Sequence, residues 1–256
     1  MGRTSRSTAL LTDHYELTML EAALRSGAAG RRCVFEAFAR RLPEGRRYGV
    51  VGGTGRFLEA LQEFRFGDAE IEDLRRRKVV DEATCDWLAG YRFSGDVSGY
   101  AEGEVYFPGS PVLVVESSFA EGVVLETLAL SILNHDSAIA SAASRMTAAA
   151  GDRPCIEMGS RRTHEEAAVA AARAAYIAGF ATTSNLEAGR RFGVPTAGTA
   201  AHAFTLLYDS EKEAFTAQVD SLGRGTTLLV DTYDVRTAPS SGPATSTPSR
   251  TASAMS

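Results

Sequence analysis

The chain reads as an α/β protein, and three features of its 256 residues carry that reading. Over residues 155–234, strand-like segments alternate with helix-like ones, a pattern that implies a parallel sheet. Over residues 95–118 the apolar residues take strand spacing, punctuated by Gly and Pro, as in antiparallel strands. Ahead of and between these stretches the apolar residues recur with helical periodicity. The predicted organisation is an N-terminal α+β domain with a bridging helix over residues 1–150, a βα region over 151–235, and a tail over 236–256.

Taken in order, Asp13 is placed to cap a helix with Glu16 three residues on, a capping-box variant. Leu17, Leu20 and Leu24 form its apolar stripe, and Gly27 supplies the stop. A strand follows at Cys33-Val-Phe-Glu-Ala-Phe38, then a turn at Pro43-Glu-Gly45. Gly49-Val-Val-Gly-Gly-Thr-Gly55 has the glycines of a dinucleotide-binding loop without their spacing. No acid follows at the distance a ribose requires, so the segment reads as a turn into the helix that begins at Arg56. Helical spacing returns over 56–64, 71–74 and 82–88, and Val97, Tyr100, Val105, Phe107 and Val112-Leu-Val-Val115 read as two or three antiparallel strands. An Ala-rich helix over 122–150, carrying Leu125, Leu128, Ile132 and Ile139, should be largely buried and bridge into the βα region. The strands of that region are expected at 155–158, 180–183, 194–197 and 226–230. Apart from Arg236, Arg250 and Met255, the tail is Ala, Ser, Thr, Pro and Gly, so no side chain anchors a core and disorder is expected. The abrupt change after a good strand reads as a chain cut short or an altered reading frame.

A formal net charge of −5 argues against a nucleic-acid binder that works through a basic face. The run Arg75-Arg-Arg-Lys78 follows Glu70, Glu72 and Asp73, which makes it a solvated helix end whose cations suit the helix dipole. The three cysteines, Cys33, Cys85 and Cys155, are odd in number, far apart and without CxxC spacing, which argues against a disulfide framework or a structural zinc site and fits a reducing compartment. His14, His135 and His164 are too scattered to show metal-ligand spacing. Ala9-Leu-Leu11 is too short for a signal-peptide core, and no run of apolar residues is long enough to cross a membrane. A cytoplasmic protein without a membrane or nucleic-acid partner is the expectation.

Polar residues gather where the predicted βα strands end, the position at which parallel sheets and barrels bind ligands. His202 follows Gly198-Thr199 and could serve as a general base or as a nucleophile toward phosphorus; a half-buried histidine satisfied by a carbonyl is the alternative. Arg161 and Arg162 precede Thr163, a candidate helix cap, and suit a phosphate or pyrophosphate; surface pairing with Glu165 or Glu166 is the alternative. Asp231 and Asp234 could hold Mg²⁺ or ribose hydroxyls, or cap a helix. No G-x-S-x-G elbow is present.

Six segments, in order, resemble nicotinate phosphoribosyltransferase. They are Leu11-Thr-Asp-His-Tyr-Glu-Leu-Thr-Met19, Ile132-Leu-Asn-His-Asp-Ser137, Met158-Gly-Ser-Arg-Arg162, Thr183-Ser-Asn-Leu-Glu187, Gly198-Thr-Ala-Ala-His-Ala-Phe204 and Leu228-Leu-Val-Asp-Thr-Tyr-Asp234. The resemblance spans about residues 8 to 235. It implies a type II phosphoribosyltransferase barrel, here an incomplete half, since the family continues with further strands, an acidic motif and a phosphate-binding loop. It implies formation of nicotinate mononucleotide from nicotinate and phosphoribosyl pyrophosphate in NAD salvage. ATP, as co-substrate, would be hydrolysed through a phosphohistidine at His202, and Mg²⁺ would shield the pyrophosphate. Tyr15 would stack on the pyridine ring, Thr199 contact nicotinate, Arg161 lie near the phosphates and Asp231 near the ribosyl site. Neutral Ser184 and Asn185 would tolerate the acid where a carboxylate would repel it. The family acts as homodimers with shared sites, so a homodimer is implied for the intact enzyme, and weak or absent activity for this chain as it stands. Two alternatives remain: a non-catalytic remnant that binds a family partner chain, and a quinolinate phosphoribosyltransferase relative, whose basic cluster is not found here.

Overall fold

The computed structural model of the protein describes residues 7–236. The chain forms two compact units divided between Val194 and Pro195. In the first unit the helices are α1 (His14–Ser26), α2 (Thr54–Gln62), α3 (Asp68–Arg77), α4 (Glu82–Ala89), α5 (Phe119–Val123), α6 (Glu126–Ala150), α7 (Glu165–Ile177) and α8 (Leu186–Phe192). The strands are β1 (Arg32–Phe38), β2 (Gly49–Val50), β3 (Asp96–Gly99), β4 (Val105–Tyr106), β5 (Pro111–Ser118), β6 (Ile156–Glu157) and β7 (Thr182–Thr183). The second unit carries α9 (His202–Thr205) and α10 (Glu211–Leu222).

β5 is the middle strand of an antiparallel sheet ordered β1-β5-β3, with Phe35 opposite Val115 and Gly99 opposite Leu113. This is the antiparallel texture expected over 95–118. Its Val112, Leu113 and Val115 enter a core shared with Leu17 and Leu20 of α1, Phe57 of α2, Leu88 of α4 and Leu125 and Leu128 ahead of and within α6. β2 and β4 form a separate antiparallel pair.

The long helix expected over 122–150 is broken. α5 ends before it, the Leu125 N–H bonds to the Gly122 carbonyl as a turn, and α6 starts at Glu126. Gly122 lies against the Phe35 ring, where a Cβ would come within 2.5 Å of the ring edge, so packing there holds a turn that periodicity alone did not show. The Asp13–Glu16 capping box is also absent. Asp13 does precede α1, but the Glu16 side chain is buried and its Oε1 accepts from the Thr127 N–H at 2.8 Å and hydroxyl at 2.6 Å. The carboxyl thus holds the start of α6 to α1 instead of closing its own helix.

In the βα region, β6 and β7 pair in parallel, Ile156 with Thr182 and Glu157 with Thr183. The strands expected at 194–197 and 226–230 do not form: Thr196 makes an isolated bridge and 226–230 has no regular structure. A strand is defined by a hydrogen-bonded neighbour, and an apolar run without one remains extended coil. The α/β class therefore stands, while the four-strand half-barrel reduces to one parallel pair among the described residues.

The division expected at residue 150 falls inside the first unit. Val50 of β2, Ala140 of α6 and Ala174 of α7 share one buried cluster, and Arg173 of α7 forms a bidentate pair with Glu102 at 2.7 Å to each oxygen. These contacts weld α7 onto the N-terminal elements. The tail expected to be disordered lies outside the described residues, apart from Arg236. No helix among the described residues is long and apolar enough to cross a membrane.

Candidate active site

In the first unit, the ends of β6 and β7 are tied into one polar network. The Glu157 carboxylate accepts from the Thr183 hydroxyl at 2.6 Å and from the Gly159 N–H. Thr183 is buried, and its oxygen accepts in turn from the Asn185 N–H at 3.0 Å. Asn185 then works twice: its carbonyl caps α8 by accepting from the Ala188 N–H at 2.9 Å, and its amide donates to Ser160 at 3.0 Å. The loop after β6 is thereby fixed to the loop after β7. The Ser184 N–H donates to the Glu157 carbonyl at 2.8 Å, which leaves the Ser184 side chain exposed. Glu157 and Thr183, which are not among the candidate residues singled out above, hold these loops together; a lone carboxylate within a strand and a hydroxyl-rich strand end are their signal in the sequence.

Arg161 and Arg162 lie on a 3-10 turn, Gly159–Arg162, and are exposed. The surface pairs considered for them do not form. Glu166 binds Arg191 at 2.8 Å, and Glu165 faces His164 at 3.6 Å. Among the described residues both guanidinium groups after β6 are left without an ionic partner. The cap of α7 is His164 rather than Thr163, its Nδ1 accepting from the Glu166 N–H at 3.3 Å.

Tyr15 and Glu16 sit side by side on α1 but face different surroundings. The half-exposed Tyr15 ring donates its hydroxyl to Glu126 Oε1 at 3.1 Å. Desolvation, followed by the Glu126 bond, raises the phenol above its ordinary value. Glu16 is buried with Oε2 unpartnered, and desolvation raises its carboxyl against the opposing bonds from Thr127. Its folded value lies above the unfolded one, so its contribution to stability is full below about pH 4.5 and is lost as pH rises through the folded value. The Glu16→Gln variant keeps an acceptor for Thr127 without a titrating proton. It is expected to be relatively more stable at pH 8 than at pH 5 when urea midpoints are compared with the parent's; an identical difference at both pH values would contradict a raised Glu16.

The glycine-rich segment does turn the chain into a helix, and residues from two other elements hold it. Gly53, at φ 94°, caps α2 and donates its N–H to Glu102 at 2.6 Å. Burial raises the Glu102 carboxyl, but Arg173 and the Gly53 and Gly55 N–H groups outweigh it, so the group stays below its ordinary value. Ser137 of α6 accepts from the Gly52 N–H and donates to the Gly52 carbonyl, both at 3.1 Å. Its neighbour Asp136, fully buried, accepts from Arg56 Nη1 at 2.7 and 3.0 Å. The Ile132–Ser137 motif thus anchors the turn.

The remaining candidates belong to the second unit. His202 opens α9 with its side chain 53% exposed, Nδ1 at 3.2 Å from the Thr232 hydroxyl and 4.0 Å from Asp231 Oδ1. Asp231 is itself exposed. Among the described residues no carbonyl bonds the ring, and Nε2 has no partner. Thr199 is exposed, its hydroxyl reaching only the Ala200 carbonyl at 3.4 Å. Asp234 accepts from the Arg236 N–H at 2.9 Å and caps no helix among the described residues.

Residues 10–134 match the family model described as the nicotinate phosphoribosyltransferase (NAPRTase) N-terminal domain. The N-terminal part of the chain is thus similar to that domain. It is 68% identical over 236 residues to nicotinate phosphoribosyltransferase pncB1 of Mycobacterium tuberculosis, covering 89% of this chain and 52% of that protein. It is 38% identical to nicotinate phosphoribosyltransferase of Bacillus subtilis, covering 89% of this chain and 46% of that one. Among solved structures, human nicotinic acid phosphoribosyltransferase superposes with a TM-score of 0.77 at 28% identity, over 88% of this chain and 55% of the human one. The chain therefore spans about half the length of the curated nicotinate phosphoribosyltransferases it matches.

Proposed function

We propose that the protein takes part in NAD salvage as a nicotinate phosphoribosyltransferase, joining nicotinate to phosphoribosyl pyrophosphate with ATP as co-substrate. The observation that carries this reading is the exposed His202 ring, with Nδ1 engaged by Thr232, Asp231 beside it and Nε2 open to a ligand. In the first half-reaction Nε2 attacks the γ-phosphorus of ATP. The N–P bond forms, the P–O bond to ADP breaks, and Asp231 balances charge on the imidazole. In the second, the pyridine nitrogen attacks C1 of the ribosyl group as the C1–O bond to pyrophosphate breaks, giving nicotinate mononucleotide and pyrophosphate. Water then cleaves the N–P bond, releasing inorganic phosphate and restoring free His202. The sugar passes through a cationic state, so the leaving group's charge decides the barrier. The unpaired Arg161 is the residue assigned to it.

Tyr15 supplies an aromatic face for the pyridine, steadied by Glu126, and Thr199 a hydroxyl. Ser184 and Asn185 are neutral and suit a substrate carboxylate. A Mg²⁺ ion held chiefly by phosphate oxygens needs only one or two protein carboxylates. The exposed Asp231 offers one, and no preformed cage of three ligating side chains occurs among the described residues. When bound, Mg²⁺ would supply charge neutralisation for the leaving pyrophosphate. A type II phosphoribosyltransferase barrel completed in a homodimer is part of the same proposal.

A second reading, a non-catalytic chain that binds a family partner, is favoured by the single parallel strand pair among the described residues. One experiment separates them. With labelled γ-phosphate ATP, acid-labile label is expected on the chain and absent from His202→Ala. No label on the parent would reject the catalytic reading in favour of the partner-binding one.

A further inference from the structure

Between α2, α6, α7 and α8 lies a cleft of about 360 Å³ that the reaction proposed above does not use. That volume is within the range of small-molecule sites. Its lining includes Arg56 and His135 with Glu166 and Arg191, and also the apolar side chains of Val169 and Phe192. The polar groups are held by buried partners. Asp136 is fully buried and fixes both neighbours, Arg56 through Nη1 and His135 through Nδ1 at 2.9 Å. A carboxylate accepts, so a proton of His135 is on Nδ1, and in the neutral ring Nε2 is an acceptor. Among the described residues nothing engages the Nε–Nη2 edge of Arg56, the edge that matches the two oxygens of a carboxylate.

The charges around the cleft balance in pairs. Arg56 is matched by Asp136, and Arg190 and Arg191 by Glu166 and Glu187. A net-neutral ligand with separated charges fits such a surface better than a dianion. We propose that the cleft binds a zwitterionic α-amino acid with an apolar side chain. Its carboxylate meets the free edge of Arg56, its ammonium donates to His135 Nε2 with Glu166 nearby, and its side chain rests on Val169 and Phe192. This assignment stands independently of the phosphoribosyl reaction.

The probe is L-phenylalanine added to the 256-residue chain, read from the imidazole resonances of its 4 histidines, assigned by substitution. A saturable shift of the His135 resonance is expected, with a Kd of roughly 1 mM. 3-Phenylpropionate, which lacks the amine, and phenethylamine, which lacks the carboxylate, should each bind about tenfold more weakly or worse. For the variants, saturation-transfer signals of L-phenylalanine provide the reading. Arg56→Lys keeps the charge but loses the fork, and His135→Ala leaves the Arg56–Asp136 pair intact; each should weaken binding by about tenfold. The proposal fails if L-phenylalanine gives no saturable response. It fails equally if the two truncated ligands or inorganic phosphate bind as well, or if His135→Ala binds as the parent does.

Discussion

Replacing Arg56 with alanine is expected to lower the stability of the protein by about 3 kcal/mol, the low end of the range for breaking a buried ion pair. Asp136 is entirely inaccessible, and Arg56 supplies two of its contacts, at 2.7 and 3.0 Å. Without the guanidinium, His135 Nδ1 is the one hydrogen-bond partner left among the described residues for a desolvated carboxylate. Arg56 is itself 28% exposed, and water can fill part of its place, which sets the estimate at the low end. The loss is large against a total of about 5–15 kcal/mol for an ordinary domain, and should appear as a fall of about 1–3 M in the urea midpoint. Removing both charges, as in Arg56→Met with Asp136→Leu, should recover most of that loss, because no unpaired charge is left behind. A double variant no more stable than Arg56→Ala would show that the pair is not the cause.

One residue further along α2, Phe57→Ala should cost about 3–5 kcal/mol for a wholly different reason. Phe57 is fully buried in the same core as Leu125, Leu128 and Val51. Its truncation removes apolar contacts and leaves a cavity that rigid helices fill poorly. Phe57→Leu, which keeps most of the volume, should cost less than about 1.5 kcal/mol. Equilibrium unfolding of the two variants distinguishes a cavity from a lost aromatic contact. A loss below about 1 kcal/mol for Phe57→Ala would mean that α2 does not pack as described. Arg56 and Phe57 thus place the two faces of one helix, one toward the anchored turn and one into the core.

Much of the N-terminal architecture is legible in the chain. The Leu17–Leu20–Leu24 stripe and Gly27 mark α1, with Gly27 at φ 76° as a left-handed stop requires. Alternation over 95–118 marks the strands β3 to β5. What resists reading is wherever the decisive partner is remote. Glu16 has the spacing of a capping residue, yet its bonds go to Thr127, 111 positions away. The segment 226–230 is as apolar as a core strand and lacks a hydrogen-bonded neighbour. The candidate residues Arg161, Ser184 and Asn185 after β6 and β7 are legible because turns at strand ends must expose polar groups. Their supporting partners, Glu157 and Thr183, are legible only once β6 and β7 are paired.

Taken alone, the order of residues determined the α/β class and the resemblance to a family, and it singled out Tyr15, Arg161 and His202 as candidates, because local periodicity and short motifs need no distant partner. Tertiary structure decided which acids are buried, where the first compact unit ends, and that His135 is oriented by Asp136 over a cleft. Those outcomes depend on desolvation and on pairing between segments far apart in the chain, and both arise only when the packed elements exclude water.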